Sequence, residues 1–406
     1  MTPHDQSPAR SVVADGASAS DGTARHVDSP PWARDRLAAL LAPAGVQLDG
    51  SRPWDIRVND PGMPQRVLLG GSLGAGESYM DGGWDCDALD DMFTRVLRAS
   101  IDERLSPSQR VVTRILARLR NPQSRRRALV VGRRHYDIGD DLYRRMLDAR
   151  MIYSCAYWPR AATLDEAQEH KLDLVCRKLG LQPGMRVLDI GCGWGGAARF
   201  AAERYGVSVT GLTISRNQYE TAVEYCKGLP VEIRFEDYRS HTPVSHAQSG
   251  GAYDRIYSLG MFEHVGESNY RTYFRKAREL LAPDGLFLLH TIGVNLANPG
   301  TDPWIEKYIF PNSHLPSHAE VARAAERCWV IEDWHNFGPD YDRTLLSWSH
   351  NITQHWAEIP AYDERFRRMW HYWLMSSAAA FRARRNQLWQ IVLSTIGRLG
   401  GYREVR

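Results

Sequence analysis

The sequence predicts an α/β protein built on a doubly wound, mostly parallel sheet. Three observations predict it. Short apolar runs alternate with helical stretches: Arg186–Ile190, 207–212, Val231–Phe235, 253–258 and 286–292 read as strands. The first of them runs into a glycine-rich turn, Gly191-Cys192-Gly193-Trp194-Gly195-Gly196, and a helix over 197–205 follows at once. A tight turn, Pro283-Asp284-Gly285, leads into the last strand.

At 406 residues the chain is longer than one typical domain. Residues 1–31 are rich in Ser, Ala, Asp and Gly and read as a disordered tail. Residues 32–104 read as a small α/β domain, with Ile56-Arg57-Val58 and Val67-Leu68-Leu69 as short strands and a turn-rich run from Gly70 to Gly76. Residues 105–134 form a basic linker, and 135–406 the larger domain. The linker holds Arg125, Arg126 and Arg127 among other arginines and no acid, with apolar residues at helical spacing from Val111 to Leu119. It reads equally as an amphipathic helix lying on an anionic bilayer or as a solvated helix packed on its own domain. No nucleic-acid-binding motif accompanies it.

Hydrophobic residues make up 43% and charged residues 24%, the composition of an ordinary globular protein, and no apolar run is long enough to span a membrane. The six cysteines, at 86, 155, 176, 192, 226 and 328, contain no C-x-x-C pair. That spacing argues against a zinc site or disulfide framework and for a reducing cytoplasm; no metal is expected.

Ligands of a doubly wound sheet gather at the carboxyl ends of its strands. Asp189 and the glycines end the first strand; Thr213, Ser215 and Gln218 follow the second; Asp237 and Tyr238 the third; Glu263 and His264 the fourth; His290 and Ile292 end the fifth. Taken singly, each has a plainer reading: Gln218 an exposed helix start, His290 a hydrogen-bonded core histidine, Glu263 a helix cap. Their convergence on one rim is the signal. Cys155 reads as a small buried residue before it reads as a nucleophile, since no base adjoins it in sequence.

The glycine spacing fits G-x-G-x-x-G, but the strand ending in Thr213 lacks the acid that would hold an NAD ribose. Asp189, two residues before the first glycine, and the dense glycines through Gly196 resemble the first motif of class I S-adenosylmethionine (SAM) methyltransferases. Longer motifs narrow the resemblance: Gly71 to Gly82, His135-Tyr136-Asp137-Ile138-Gly139, Tyr153-Ser154-Cys155-Ala156-Tyr157-Trp158, Gly260-Met261-Phe262-Glu263-His264-Val265-Gly266, Asp302-Pro303-Trp304-Ile305, Tyr308-Ile309-Phe310-Pro311 and Glu332-Asp333-Trp334-His335-Asn336-Phe337-Gly338. From about Trp32 onward the chain resembles the bacterial cyclopropane-fatty-acyl-phospholipid synthases, relatives of the mycolic acid cyclopropane synthases.

The resemblance implies a class I SAM-methyltransferase-like sheet and transfer of a methylene group from SAM to the cis double bond of an acyl chain in a membrane phospholipid, with bound bicarbonate as general base. It implies catalytic roles for Cys155, Glu263, His290, the Ile292 backbone and Tyr341. It implies SAM contacts from Tyr153, Ser154, Asp189, Gly191, Gly193, Gly195, Thr213, Ser215, Gln218, Asp237 and Tyr238. A bilayer partner at the inner membrane, a cytoplasmic site and a homodimer are implied likewise. A raised pKa is expected of Glu263 beside a bound anion. An apolar tunnel for the lipid tail is expected beside the glycine loop. Trp348, Trp356, Trp370, Trp373 and Trp389 read equally as its lining or as ordinary packing. In one respect the chain departs from the pattern: Ser377 stands where some members have a cysteine, which implies that this cysteine is not the catalytic group. The alternatives are another SAM transferase, which methylates a lipid without ring closure or acts on a small amine, and a silent lipid-binding protein.

Overall fold

The computed structural model describes residues 30–101, 139–242, 253–297 and 300–406. The tail up to residue 29 and the whole basic linker lie outside the described residues, as does most of the His135–Gly139 motif.

The larger part is a seven-stranded sheet. In chain order its strands are β3 (Arg186–Ile190), β4 (Ser208–Thr213), β5 (Val231–Phe235), β6 (Tyr253–Leu259), β7 (Leu281–Val294), β8 (Val330–Asn336) and β9 (Asn386–Ser394); β1 (Arg57–Val58) and β2 (Trp84–Asp85) belong to the amino-terminal part. The spatial order is β5-β4-β3-β6-β7-β9-β8. The first five run parallel, and β9 and β8 join antiparallel at the far side. β3 pairs with both β4 and β6, so the strand order reverses there and opens a crevice at its carboxyl end. Burial on both faces explains the apolar runs: Val187 and Leu188, Ile256, and Phe287 to Leu289 are fully buried.

Local chemistry sets the helix starts. Helix 164–178 begins at a capping box: the Thr163 hydroxyl accepts the Glu166 N–H, and the Glu166 carboxylate accepts the Thr163 N–H. The helix after the glycine loop, Gly196–Tyr205, and the one after β4, Arg216–Tyr225, pack along the sheet.

The sequence expectations fail at two turns. Val67-Leu68-Leu69 is not a strand; it lies in helix Met63–Met80, and the expected turn is a kink inside that helix at Gly71 (φ 58°). The glycines that would have marked a loop allow close packing instead: a Cβ on Gly74 would sit 2.2 Å from the Arg66 carbonyl, and one on Gly76 within 2.3 Å of the Trp304 ring. Likewise Pro283-Asp284-Gly285 does not precede a strand but bulges within β7, where the register against β6 slips between Tyr253 and Arg255.

The amino-terminal part contributes a two-residue ladder, β1 (Arg57–Val58) against β2 (Trp84–Asp85), and helices that do not stand apart. One apolar cluster runs from Leu37 and Met92 through Tyr143 and Trp194 to Trp348, Trp370 and Phe381. Its carboxyl-terminal share comes from helices Pro339–His355 and Glu364–Arg382. Arg368 ties the two parts, donating to the carbonyls of Tyr79 and Trp84 and to the Asp85 carboxylate.

Candidate active site

The crevice at the end of β3 is a pocket lined by Asp189, the glycine loop, Tyr153, Ser154, Thr213, Gln218, Asp237 and Tyr238. Its floor is the turn itself. The N–H groups of Gly191 and Cys192 both donate to the Leu212 carbonyl, which holds the turn on the end of β4. Gly191 adopts φ 92°, and a Cβ there would lie 2.8 Å from Met261. Gly196 admits no side chain because the Arg150 carbonyl would be 2.1 Å away.

Two of the expected SAM-contacting residues are not in this lining. Gly195 packs against Cys226, and Ser215 caps the following helix by accepting the Gln218 N–H at 3.4 Å. The Thr213 hydroxyl donates to the Gln218 side-chain oxygen at 3.1 Å, so those two pocket residues position each other. Asp237 is gripped by Arg239 at 2.6 Å.

The charges beneath the pocket are buried. Lys171 is fully buried and donates to the Ser154 hydroxyl at 3.0 Å; burial pulls its pKa down to about 8. Burial pushes Asp189 up to about 7, against the opposing pull of the Tyr257 hydroxyl and the Lys171 charge.

Beside the pocket, β6 and β7 bring the second group together. The Gly260 N–H donates to the His290 carbonyl at 2.9 Å, and the Ile292 N–H donates to Glu263 Oε1 at 2.7 Å. Glu263 Oε2 and His290 Nε2 are buried without a hydrogen-bond partner among the described residues, although the Thr291 hydroxyl is near enough to favour the Glu263 charge. Burial raises Glu263 to about 7. The expected upward shift is therefore present with desolvation as its cause, and needs no bound anion. Burial drives His290 well below its ordinary value, so its ring is neutral; the Gln390 amide donates to Nδ1 at 3.3 Å, which leaves the ring proton on Nε2. A buried donor on His290 and a buried acceptor on Glu263 suit a small ion that both gives and takes hydrogen bonds, as bicarbonate does.

Cys155 is fully buried and its thiol donates to the Ala156 carbonyl at 3.1 Å. Burial pushes its pKa well above the ordinary thiol value, which favours the neutral thiol over the thiolate. The Thr344 hydroxyl, one turn beyond Tyr341, accepts the Ala156 N–H at 3.2 Å and the Trp158 indole N–H at 3.0 Å, locking the Tyr153–Trp158 loop to the helix that carries Tyr341. The Tyr341 ring lies tilted 4.6 Å from Phe381 and meets Trp348 edge-on at 5.9 Å. The aromatics left open between tunnel and packing are largely packed: Trp348, Trp370 and Trp373 are at most 3% exposed, and Trp389 faces Trp334.

Sequence reasoning missed Asp140. Its carboxylate accepts from Trp194 in the glycine loop at 2.9 Å and from Asn217 and Thr221 on the helix after β4, at 2.7 and 2.9 Å. Only its acidity beside the His135–Gly139 motif was visible in sequence. His264 was also left without a role; it lines the pocket, and burial lowers its pKa to about 4.

Comparison with known proteins decides the family. A family model described as mycolic acid cyclopropane synthetase matches residues 123–391. The chain is 53% identical over 357 residues to the cyclopropane-fatty-acyl-phospholipid synthase of Escherichia coli (strain K12), covering 87% of this chain and 91% of the relative. The chain belongs to the cyclopropane-fatty-acyl-phospholipid synthase family. It is a SAM-dependent methyltransferase. The cyclopropane synthase MmaA2 from Mycobacterium tuberculosis superposes with a TM-score of 0.61 at 32% identity, over 66% of this chain and 98% of that one. The mycolic acid cyclopropane synthase CmaA1, solved with S-adenosylhomocysteine (SAH) and CTAB, superposes with a TM-score of 0.60 at 32% identity, over 65% and 97%. Among the described residues of this synthase-family chain, no helix is long and apolar enough to cross a membrane.

Proposed function

We propose that this family member adds a methylene unit across a cis double bond of an acyl chain in a membrane phospholipid, with SAM as the one-carbon donor and bound bicarbonate as the base. The carrying observation is the pairing of the glycine-loop pocket with buried groups beside it that have no hydrogen-bond partner among the described residues, Glu263 Oε2 and His290 Nε2.

SAM supplies an electrophilic methyl on a sulfonium, and bicarbonate, when bound, accepts the proton that ring closure releases. Tyr153, Ser154, Asp189, Gly191, Gly193, Thr213, Gln218, Asp237 and Tyr238 would hold SAM. Gly195 and Ser215, which lie outside the lining, would act on it only by shaping the turn and the helix start. Glu263, His290, Tyr341, the Ile292 backbone and the walls at Cys155 would hold bicarbonate. Neutral His290 offers a donor and adds no repulsive positive charge beside a developing carbocation. Glu263 near pKa 7 can share a proton with an anion instead of repelling it. The surrounding aromatic faces exclude water, which would quench the cation, and their negative π-faces favour it.

The reading extends to a cytoplasmic protein associated with the inner membrane and to a homodimer, on the family likeness. CmaA1 in complex with CTAB supports a site open to long chains.

The test is mass spectrometry of phospholipid acyl chains after vesicles of monounsaturated lipid are incubated with protein and SAM, with and without bicarbonate. A gain of one CH2 that resists hydrogenation, dependent on bicarbonate, is expected. A branched or hydroxylated chain would mean methylation without closure. No gain despite SAM binding would mean that the acceptor is not a bilayer alkene.

A further inference from the structure

At the amino ends of β3 and β6, on the edge of the sheet opposite the glycine loop, lies a second cleft of about 500 Å3. Five residues of β3, at roughly 3.3 Å each, separate the two sites. Arg177, Lys178, Arg255, Arg398 and Arg403 line it, and no carboxylate does among the described residues.

Two of the five are neutralised: Arg177 by Asp173 at 2.7 Å, and Lys178 by Asp333 at 3.3 Å. The other three have no ion pair among the described residues. Arg255 is 8% exposed, and its guanidinium donates to two carbonyls, those of Leu179 and Asp254, both at 2.6 Å. Arg398 donates to the Asp284 carbonyl at 3.3 Å. Carbonyls satisfy N–H groups without cancelling charge. The nearby Asp254 carboxylate is turned to Arg186 and accepts its backbone N–H at 2.7 Å. Arg255 and Arg398 repel each other across the cleft; burial and that repulsion hold Arg255 below its ordinary pKa against the weaker pull of the Asp284 and Asp254 carboxylates. A buried guanidinium facing other cations is costly unless an anion joins them.

We infer that this cleft binds a phosphate-bearing anion between the guanidinium groups of Arg255, Arg398 and Arg403. Their planar forks match phosphate oxygens two at a time, and the concave, carboxylate-free wall concentrates positive potential. The anion is either a free di- or polyphosphate or the headgroup of an acidic phospholipid.

The test uses the full chain in low salt. Calorimetric titration with inorganic pyrophosphate is expected to give a Kd of about 1 mM or tighter, weakened about tenfold or more by the double variant Arg398→Ala/Arg403→Ala. SAM affinity should not change, because its pocket is at the other edge. In parallel, flotation with phosphatidylglycerol and phosphatidylcholine vesicles compares the same proteins. Pyrophosphate binding that the variant loses identifies a free phosphate; loss of preference for phosphatidylglycerol without pyrophosphate binding identifies a headgroup. The exposed pair is substituted because Arg255 is buried; Arg255→Lys, checked for folding by circular dichroism, should weaken the same arm. If the double variant changes neither pyrophosphate nor phosphatidylglycerol binding, the inference is wrong.

Discussion

The backbone N–H of Ile292 donates to Glu263 Oε1 at 2.7 Å, which anchors one carboxylate oxygen to the central strand β7 and leaves Oε2 buried beside it. That bond fixes the carboxylate without neutralising it.

Glu263→Gln keeps the size and the Ile292 bond but removes the titrating group. Turnover should fall by about 10²-fold or more while SAM affinity stays near normal. Loss of SAM binding would place Glu263 in the other pocket. The variant also has a stability signature. The folded pKa of about 7 lies above the ordinary 4.5, so the wild type loses stability as pH rises between those values. The loss is on the order of 3 kcal/mol. The melting temperature of the variant relative to wild type should therefore rise from pH 5 to pH 8.

His290→Ala removes a neutral donor from the same place. Activity should drop steeply with SAM affinity retained, as read by initial rates and calorimetry. Burial depresses the His290 pKa, so the wild type's stability from this ring is complete above the ordinary 6.5 and is lost as pH falls below it. His290→Ala should narrow the acid-side difference in melting temperature. An unchanged rate would return His290 to a purely structural role.

Asp140→Ala leaves Trp194, Asn217 and Thr221 without their shared acceptor. Unpartnered donors cost about 1–3 kcal/mol. Because Trp194 belongs to the glycine loop, SAM affinity should weaken about tenfold, measured by calorimetry, with a smaller effect on turnover at saturating SAM. Equal affinity in the two proteins would show that the loop holds its shape without this carboxylate.

Gly293→Ala would place a Cβ 2.1 Å from the Trp389 ring, at the seam between β7 and β9. A rigid indole cannot step aside, so urea unfolding should show a loss of at least about 1–3 kcal/mol. An unchanged midpoint would mean that the β9 strand can shift.

The parallel strands and the glycine loop were legible in sequence, because each leaves a local pattern: continuous apolar runs for strands buried on both faces, and glycines where the backbone must adopt positive φ or admit no side chain. The strand over 67–69 and the turn at 283–285 were misread for the same reason. Glycine and proline mark where the chain departs from regular geometry, but not whether neighbours will absorb the departure as a kink or a bulge. The antiparallel pair β8 and β9 went unread, since their partners lie far away in sequence. Tertiary structure alone decided the shared core joining Leu37 to Phe381, the three-way acceptor at Asp140, and the burial that raises the pKa of Asp189 and Glu263 and lowers that of His290. Those are properties of burial and distance: a side chain's chemistry is written in the sequence, but the solvent and charges around it exist only after the chain has packed.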